Sequence, residues 1–505
     1  MQEIEILKGI VGDGTVAETH ASAVLITSEY VYKIKKPVNF GFLDYTQMKQ
    51  RRAFSILEME LNSRYCDGIY IGVLKLAKRS ERYELLPLES SIPATEYVLQ
   101  MKRIPDDQFL SNIINDGDMT DAEMQWIGTQ IGEKLALAER SAEIVEEMNS
   151  YEAISFNARE NFQQIKAAAP DLVNDQLHYI ERVTEQFLVN EKDLFERRYN
   201  EGFVKDGHGD LRLEHVFIKD DKLGIIDCIE FNKRFRTNDV VAEAAFLSME
   251  LDYFNKIDLS DSFLKGFFKV YPDKDSYKVL NYYRCYRAVT RAKIAIFTML
   301  GFDKADPMYT HKANEYRRMI DMATAYAMAM VETKPLAFCG MIATGKSVNA
   351  ALFTQKFPAV YVNSDIVRKE IAGIPITQNA VAPFEEGIYT LEMNARVYAQ
   401  LGKIAADNSK IGRLTIVDAA FRKKEDRDSF IEQSGITPTY IYFTALDDVI
   451  IARLKAREAQ NIVTDGRLLH FENVKKTSQF EQDHCIDTTK NDGDNIEEIV
   501  QLLTK

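Results

Sequence analysis

Gly340-Met341-Ile342-Ala343-Thr344-Gly345-Lys346-Ser347 is the stretch on which the reading of this chain turns. It has the spacing GxxxxGK[ST], it follows the apolar run Leu336 to Cys339, and it opens a segment with helical character. The two glycines let successive backbone N–H groups converge on phosphate oxygens, and a helix beginning beside them adds partial positive charge. Lys346 would reach the outer phosphates of ATP, and Ser347 would hold Mg2+ through its hydroxyl. A glycine-rich turn with no ligand is the plainer alternative, and it leaves the flanking strand and helix without a purpose.

Outward from this loop, strands are expected at 336–340, 359–363, 413–418, 439–444 and 484–488, with helices beginning near Gly345, Glu385, Lys423 and Leu446. Such alternation implies a parallel sheet covered on both faces. The strand Val360 to Asn363 runs into Ser364-Asp365-Ile366-Val367-Arg368. A carboxylate there can take the proton of an acceptor hydroxyl, and Arg368 can hold an acceptor phosphate or carboxylate. The bland reading is a helix cap with a surface arginine. Leu414 to Val417 ends in Asp418, placed to hold magnesium through water or to touch the acceptor, and Arg422 follows as a second acceptor contact. Arg453 and Arg457 lie one helical turn apart, before the polar stretch Gln460 to Asp465. That pattern suits a mobile lid whose arginines stabilise charge on a transferring phosphoryl group.

The segments GMIATGKS, NSDIVR, VDAAFR and RLKAR resemble those of the small P-loop kinases that include polynucleotide 5'-kinases, gluconate-type kinases and zeta-toxin-like sugar-nucleotide kinases. The resemblance covers about residues 334–505. It implies Asp365 as general base and the Arg453/Arg457 region as lid, and it spans very different acceptors.

A seam near Glu332 to Pro335 separates this part from what precedes it, since proline suits a helix stop followed by extended chain. Upstream, strands are expected at 23–27, 30–35, 69–76 and 96–101, with a tight turn at Ser28-Glu29. A helix is expected from about Thr46 to Arg64 with Phe54, Leu57 and Leu61 on its inner face. From Thr120 the pattern turns helical, with Thr120 and Glu123 at capping-box spacing and Met124, Ile127, Ile131 and Leu135 as an apolar stripe.

His208-Gly209-Asp210-Leu211-Arg212-Leu213-Glu214-His215, followed by Ile225-Ile226-Asp227, resembles the catalytic loop and metal aspartate of aminoglycoside-phosphotransferase-like kinases. By that resemblance Asp210 is the base and Asp227 binds magnesium. Lys33 is the phosphate-contacting lysine with Lys35 as alternative, Glu58 or Glu60 is its partner, and Asp239 props the catalytic loop. With KKPVNFGFLDY at 35–45, DCIEFNKRFR at 227–236 and YRCYRAVTRAK at 283–293, nearly the whole chain resembles a bacterial two-domain family. That family fuses such a unit to a P-loop kinase. The expected architecture is therefore α+β and α/β: a two-lobed protein-kinase-like domain over 1–332 and a P-loop NTPase domain with a parallel sheet over 333–505. In the first domain a small lobe would cover about 1–105 and a helical lobe about 106–332. Two departures stand out. His215 replaces the asparagine that ligates a second metal in the active kinases, and no GxGxxG loop is present, its place falling to Glu18-Thr19-His20-Ala21-Ser22.

Composition bounds the partners. With 46% apolar and 28% charged residues the chain is globular, and its net charge of -14 argues against a dedicated duplex nucleic-acid binder. From Lys334 onward 21 Lys and Arg stand against 23 Asp and Glu, so the deficit falls on the first part and a local basic site remains open to the second. Cys66, Cys228, Cys285, Cys339 and Cys485 lack disulfide or zinc spacing and read as core thiols. No run of about 18 apolar residues exists, so no membrane span is expected and the location is read as cytoplasmic. The expected activity is ATP-dependent phosphorylation of a small-molecule hydroxyl. A regulatory ATP-binding protein with a degenerate N-terminal scaffold, or a nucleic-acid 5'-end kinase, are the alternatives.

Overall fold

The run Leu336 to Gly340 forms a strand buried on both faces, as a central strand of a parallel sheet must be. The computed structural model describes every residue except 1, 42, 118, 141–150, 332, 379–385, 459–470, 481–482 and 490–491. The polar stretch Gln460 to Asp465 and the helix start expected near Glu385 lie outside the described residues. The chain packs as two units, Met1–Phe156 with Lys192–Asp273, and Asn157–Glu191 with Lys274–Lys505.

In the first unit β1 (Thr15–Glu18), β2 (Ser22–Ile26), β3 (Tyr30–Lys35), β4 (Tyr70–Arg79), β5 (Arg82–Pro87) and β6 (Glu96–Lys102) form an antiparallel sheet. Its order among the described residues is β1-β2-β3-β6-β4-β5. The four expected strands are present. The outer strands β1 and β5 escaped the sequence reading because neither buries a clean alternating face.

Helix Met48–Asn62 follows β3, and its buried residues are Arg51, Ser55, Glu58, Leu61 and Asn62. Of the apolar face expected at Phe54, Leu57 and Leu61, Leu61 is buried and the other two are half-buried, because polar side chains here also find partners inside. Arg51 pairs with Glu96 at 2.8 Å, and Asn62 accepts the Cys228 N–H at 2.9 Å. Helices Asp121–Ala136, Val240–Tyr253 and Ile257–Val270 supply the helical part, and the Thr120/Glu123 capping box forms as expected. Short strands β7 (Val204–Asp206), β8 (Val216–Lys219), β9 (Lys222–Ile225) and β10 (Thr237–Asp239) pair as β7 with β10 and β8 with β9.

In the second unit β11 (Leu336–Gly340), β12 (Val360–Asn363), β13 (Thr415–Asp418), β14 (Thr439–Thr444) and β15 (His484–Asp487) form a parallel sheet in the order β12-β13-β11-β14-β15. All five match the expected positions. Phe338 faces a core with Phe353, Phe443 and Ile486, while Ala337 and Cys339 face Val397, Leu401 and Phe421 on the other side. The strand order turns back at β11, the place where open α/β sheets bind ligands beyond their carboxyl ends. Helices Asp175–Asn190, Ser276–Met299 and Pro307–Val331 belong to this unit: Arg182 donates to the Thr504 carbonyl at 3.2 Å and Asn281 to Gly412 at 2.8 Å. Cys66, Cys228, Cys285 and Cys339 are buried free thiols, whereas Cys485, expected in the core, is exposed on the edge strand β15. No described helix is long and apolar enough to cross a membrane.

Candidate active sites

The loop after β11 is built by backbone geometry that few residues tolerate. Gly340 has φ 133°, and a Cβ there would lie 2.4 Å from the Phe443 carbonyl oxygen. Gly345 has φ 91° and leads into helix Lys346–Lys356, while Ala343 holds φ 59° without being glycine. Thr344 ties the loop to itself through a 2.8 Å bond to the Met341 carbonyl. Lys346 donates to the carbonyls of Gly340 and Met341 at 3.1 and 2.7 Å. Its ammonium therefore sits over the concavity formed by Gly340, Met341, Ile342, Ala343, Thr344 and Gly345.

Asp418 is held by Tyr361 and Asn363 beside the loop. Parallel register sets Asn363 and Phe338 beside Asp418, which carries the carboxylate to the end of β13 next to the loop. Tyr361 donates its hydroxyl hydrogen to Asp418 at 2.8 Å and accepts from Asn363 at 3.0 Å, with Ser347 close enough to pull its pKa down. Asn363 donates to the same carboxylate oxygen at 2.8 Å. A serine hydroxyl in the first turn of the helix and a carboxylate at the end of β13, on either side of a phosphate-binding loop, fit a magnesium ion with the nucleotide phosphates and water. Burial, with Asp418 beside it, pushes the Tyr361 phenol up, so it stays protonated and donates.

The remaining predicted residues fall at the same end of the sheet. Asp365 lies in the first turn of helix Ser364–Ala372, with Asn363 as its cap accepting the Asp365 N–H at 2.9 Å. Arg368 is buried, donates to the Ile388 carbonyl at 3.1 Å and to Asn394 at 2.8 Å, and lies over the Tyr389 ring. Burial pushes the Asp426 carboxyl up, while Arg422, Lys423 and Arg368 nearby pull it the other way. Both arginines are thus near enough to Asp426 to act on its charge. Arg453 donates to the Ala343 carbonyl at 3.3 Å and to Thr488 at 2.9 and 2.8 Å, which joins its helix to the phosphate loop. The side chain of Arg457 lies outside the described residues. Sequence reasoning missed Tyr361 and Thr488; the latter donates to the Thr344 carbonyl at 2.8 Å and packs on Gly345. Neither belongs to a motif, and only the folded sheet brings them in.

The first unit holds a second cluster. Lys33 bridges Glu58 and Asp227, each at 2.8 Å. Lys35, the alternative lysine, faces the same way but bonds Glu58 at 2.6 Å and also Glu230, which Tyr45 contacts too. Burial works against charge on Lys33, but Asp227, Glu58 and Glu230 outweigh it and hold its pKa well above the ordinary lysine value. Lys33 in turn holds the Asp227 carboxyl far below the usual range, despite burial. Glu58 is the partner of both lysines, and Glu60 is exposed.

The loop His208 to His215 is propped by a different residue from the one expected. Asp239 is buried, but it binds Arg198 at 2.6 and 2.9 Å and caps helix Val240–Tyr253. Glu243 instead accepts the backbone N–H groups of His208 and Gly209 at 3.0 and 2.7 Å, because it sits one turn into the helix and faces the loop. His208 Nε2 is 2.9 Å from the Ile226 carbonyl, which ties the loop to the segment carrying Asp227. Asp227 has φ 64°, a costly conformation for a non-glycine residue that aims its carboxylate toward Lys33 and His215. Glu18 to Ser22 forms the β1–β2 turn, closed by the Thr19 N–H bonding the Ser22 carbonyl at 2.9 Å.

Residues 336–479 match the family model described as an AAA domain. The matched segment contains the phosphate loop, Asp365, Asp418 and Arg453, and ends before Thr488. The chain is 27% identical over 456 residues to an uncharacterized protein of Mycobacterium tuberculosis, covering 88% of this chain and 86% of that relative. Among solved structures, a sugar kinase from Janibacter sp. HTCC2649 is 17% identical over 34% of this chain and 94% of its own, with TM-score 0.27. A choline/ethanolamine kinase family protein from Mesorhizobium loti is 11% identical over 65% of this chain and 98% of its own, with TM-score 0.38.

Proposed function

We propose that this chain is an ATP- and magnesium-dependent phosphotransferase whose C-terminal module phosphorylates a hydroxyl of a small molecule. The observation that carries the reading is the Asp418 carboxylate, fixed by Tyr361 and Asn363 at the end of β13, beside a loop shaped by Gly340 and Gly345 that opens the helix carrying Lys346 and Ser347. Bound magnesium would neutralise charge on the phosphate oxygens. Lys346 would draw the outer phosphates into the loop, and Asp365 would take the acceptor's proton. The acceptor oxygen then bonds the γ-phosphorus as the bond to the β-phosphate bridge breaks and ADP leaves. Arg368 and Arg422, both near enough to Asp426 to act on its charge, favour an acceptor that itself carries a phosphate or carboxylate. Arg453 and Arg457 would steady the transferring group.

The test is mass-resolved phosphoryl transfer from Mg-ATP to a metabolite extract and to 5'-hydroxyl oligonucleotides. Lys346→Ala and Asp365→Asn should each lower product formation by about a hundredfold or more. Full transfer by either variant removes the role given to that residue, and product only on oligonucleotides would make the protein an end kinase. A second reading, a regulatory ATP-binding protein, draws on His215 standing where active kinases carry a metal-binding amide. It predicts nucleotide binding with slow hydrolysis and no phosphorylated acceptor.

A further inference from the structure

His215 lies between the two aspartates of the first unit. Its Nδ1 is 2.8 Å from the Asp210 carbonyl oxygen and 3.6 Å from the Asp210 carboxylate, and its Nε2 is 3.7 Å from Asp227 Oδ2. A carbonyl oxygen has no hydrogen to give, so Nδ1 donates and the neutral ring keeps its lone pair on Nε2. That lone pair is on the side of Asp227, with Glu214 Oε1 at 3.8 Å. An imidazole that donates one N–H to a backbone carbonyl while the other nitrogen faces a carboxylate has the arrangement that orients metal-ligating histidines.

The spacing also suits a shared ion. Two donors each about 2.1–2.2 Å from one metal stand about 3.0–3.6 Å apart, so the 3.7 Å gap needs only slight closure. The ring is held in place, 8% exposed and beside the His208 ring at 6.0 Å between centroids. His208 does not compete, because its Nε2 serves the Ile226 carbonyl and its Nδ1 accepts the Asp210 N–H at 3.3 Å.

We propose that the first unit binds its nucleotide with a nitrogen-tolerant divalent ion, Mn2+ in preference to Mg2+, held by His215 Nε2 and the Asp227 carboxylate. Mg2+ is small, hard and reluctant to exchange water for a nitrogen donor, whereas Mn2+, of the same charge and six-coordinate habit, is softer and accepts an imidazole beside carboxylate and phosphate oxygens. Among the described residues no group of three His, Cys, Asp or Glu side chains is placed to hold a metal alone. The ion therefore enters with the nucleotide, whose phosphates and water complete its shell. The inference rests on Asp227 as a metal ligand and stands apart from transfer at the C-terminal module.

Pulsed electron paramagnetic resonance on the full chain with Mn2+ and ADP reads this directly, through the hyperfine coupling of a bound imidazole nitrogen. The coupling should appear in the native chain and vanish in His215→Asn and His215→Gln. The preference for Mn2+ over Mg2+ in ADP-dependent binding should fall about tenfold or more in both variants. If Asp227→Ala removes a bound ion yet no nitrogen coupling is seen, or the coupling survives both His215 variants, the proposal fails and Asp227 keeps its role. If no bound ion depends on Asp227, both fail together.

Discussion

His208 shows what one buried residue can settle. Its Nε2 donates to a carbonyl, its Nδ1 accepts a backbone N–H, and burial with His215 nearby lowers its pKa to about 4. The folded chain thus refuses a proton that the unfolded chain takes up near pH 6.5. Stability from this group is complete above about pH 6.5 and is lost as pH falls toward 4, by up to about 3 kcal/mol. Trp126, the one tryptophan, lies in the same unit and reports its unfolding. Urea titrations followed by Trp126 at pH 7 and pH 4.5 should show the loss in the native chain and a smaller one in His208→Gln. Equal pH slopes in the two would remove His208 from the account. In the sequence the HGD triplet announced a loop, but not that its histidine stays neutral, because neutrality comes from burial in the folded unit and from His215 beside it.

At the scale of elements, the crossing of helices Asp121–Ala136 and Ile257–Val270 depends on two glycines. A Cβ on Gly128 would lie 2.0 Å from the Phe263 carbonyl oxygen, and one on Gly266 would lie 1.9 Å from that of Gln125. Both obstacles are backbone, so neither can swing away. Gly266→Ala should push the helices apart and cost about 1–3 kcal/mol or more, read as a lower urea midpoint. Gly9→Ala, in helix Gln2–Val11 with nothing within 4 Å of its Cβ, should instead be neutral or stabilise by up to about 1 kcal/mol. Equal effects would mean that helix propensity, not close approach, governs both positions. The helix Asp121–Ala136 was legible from its cap and apolar stripe, since both are local. Its partner was not, because the glycines have meaning only where another backbone comes close. Helix Met48–Asn62 shows the same limit: periodicity found an apolar face, whereas Glu58 and Asn62 are buried by partners on β3 and beside Asp227.

At the scale of the molecule, the parallel sheet was readable strand by strand, because a strand buried on both faces announces itself as a continuous apolar run between helices. The phosphate loop was readable for the same local reason, while Tyr361, Thr488 and Glu243 needed the fold to place them. The seam at 332–335 marks where chain pattern changes, yet packing groups residues differently, since 157–191 and 274–331 share a unit with the sheet. A fragment of residues 333–505 keeps all five parallel strands and loses those helices. It also loses the bonds from Arg182 to Thr504, Asn281 to Gly412 and Arg318 to Gln355, and the contact of Ala325 with the core around Phe353. At about 1 kcal/mol for each bond and about 2–4 °C for each kcal/mol, the fragment should melt about 6–12 °C below the same unit in the full chain. Scanning calorimetry of both would show it, and equal melting temperatures would mean that the fragment folds without help from those helices. Mg-ADP should still raise the fragment's melting temperature, because the phosphate loop, Asp418 and Thr488 all lie within it. Failure of that rise in a folded fragment would place part of the nucleotide site in the helices left behind.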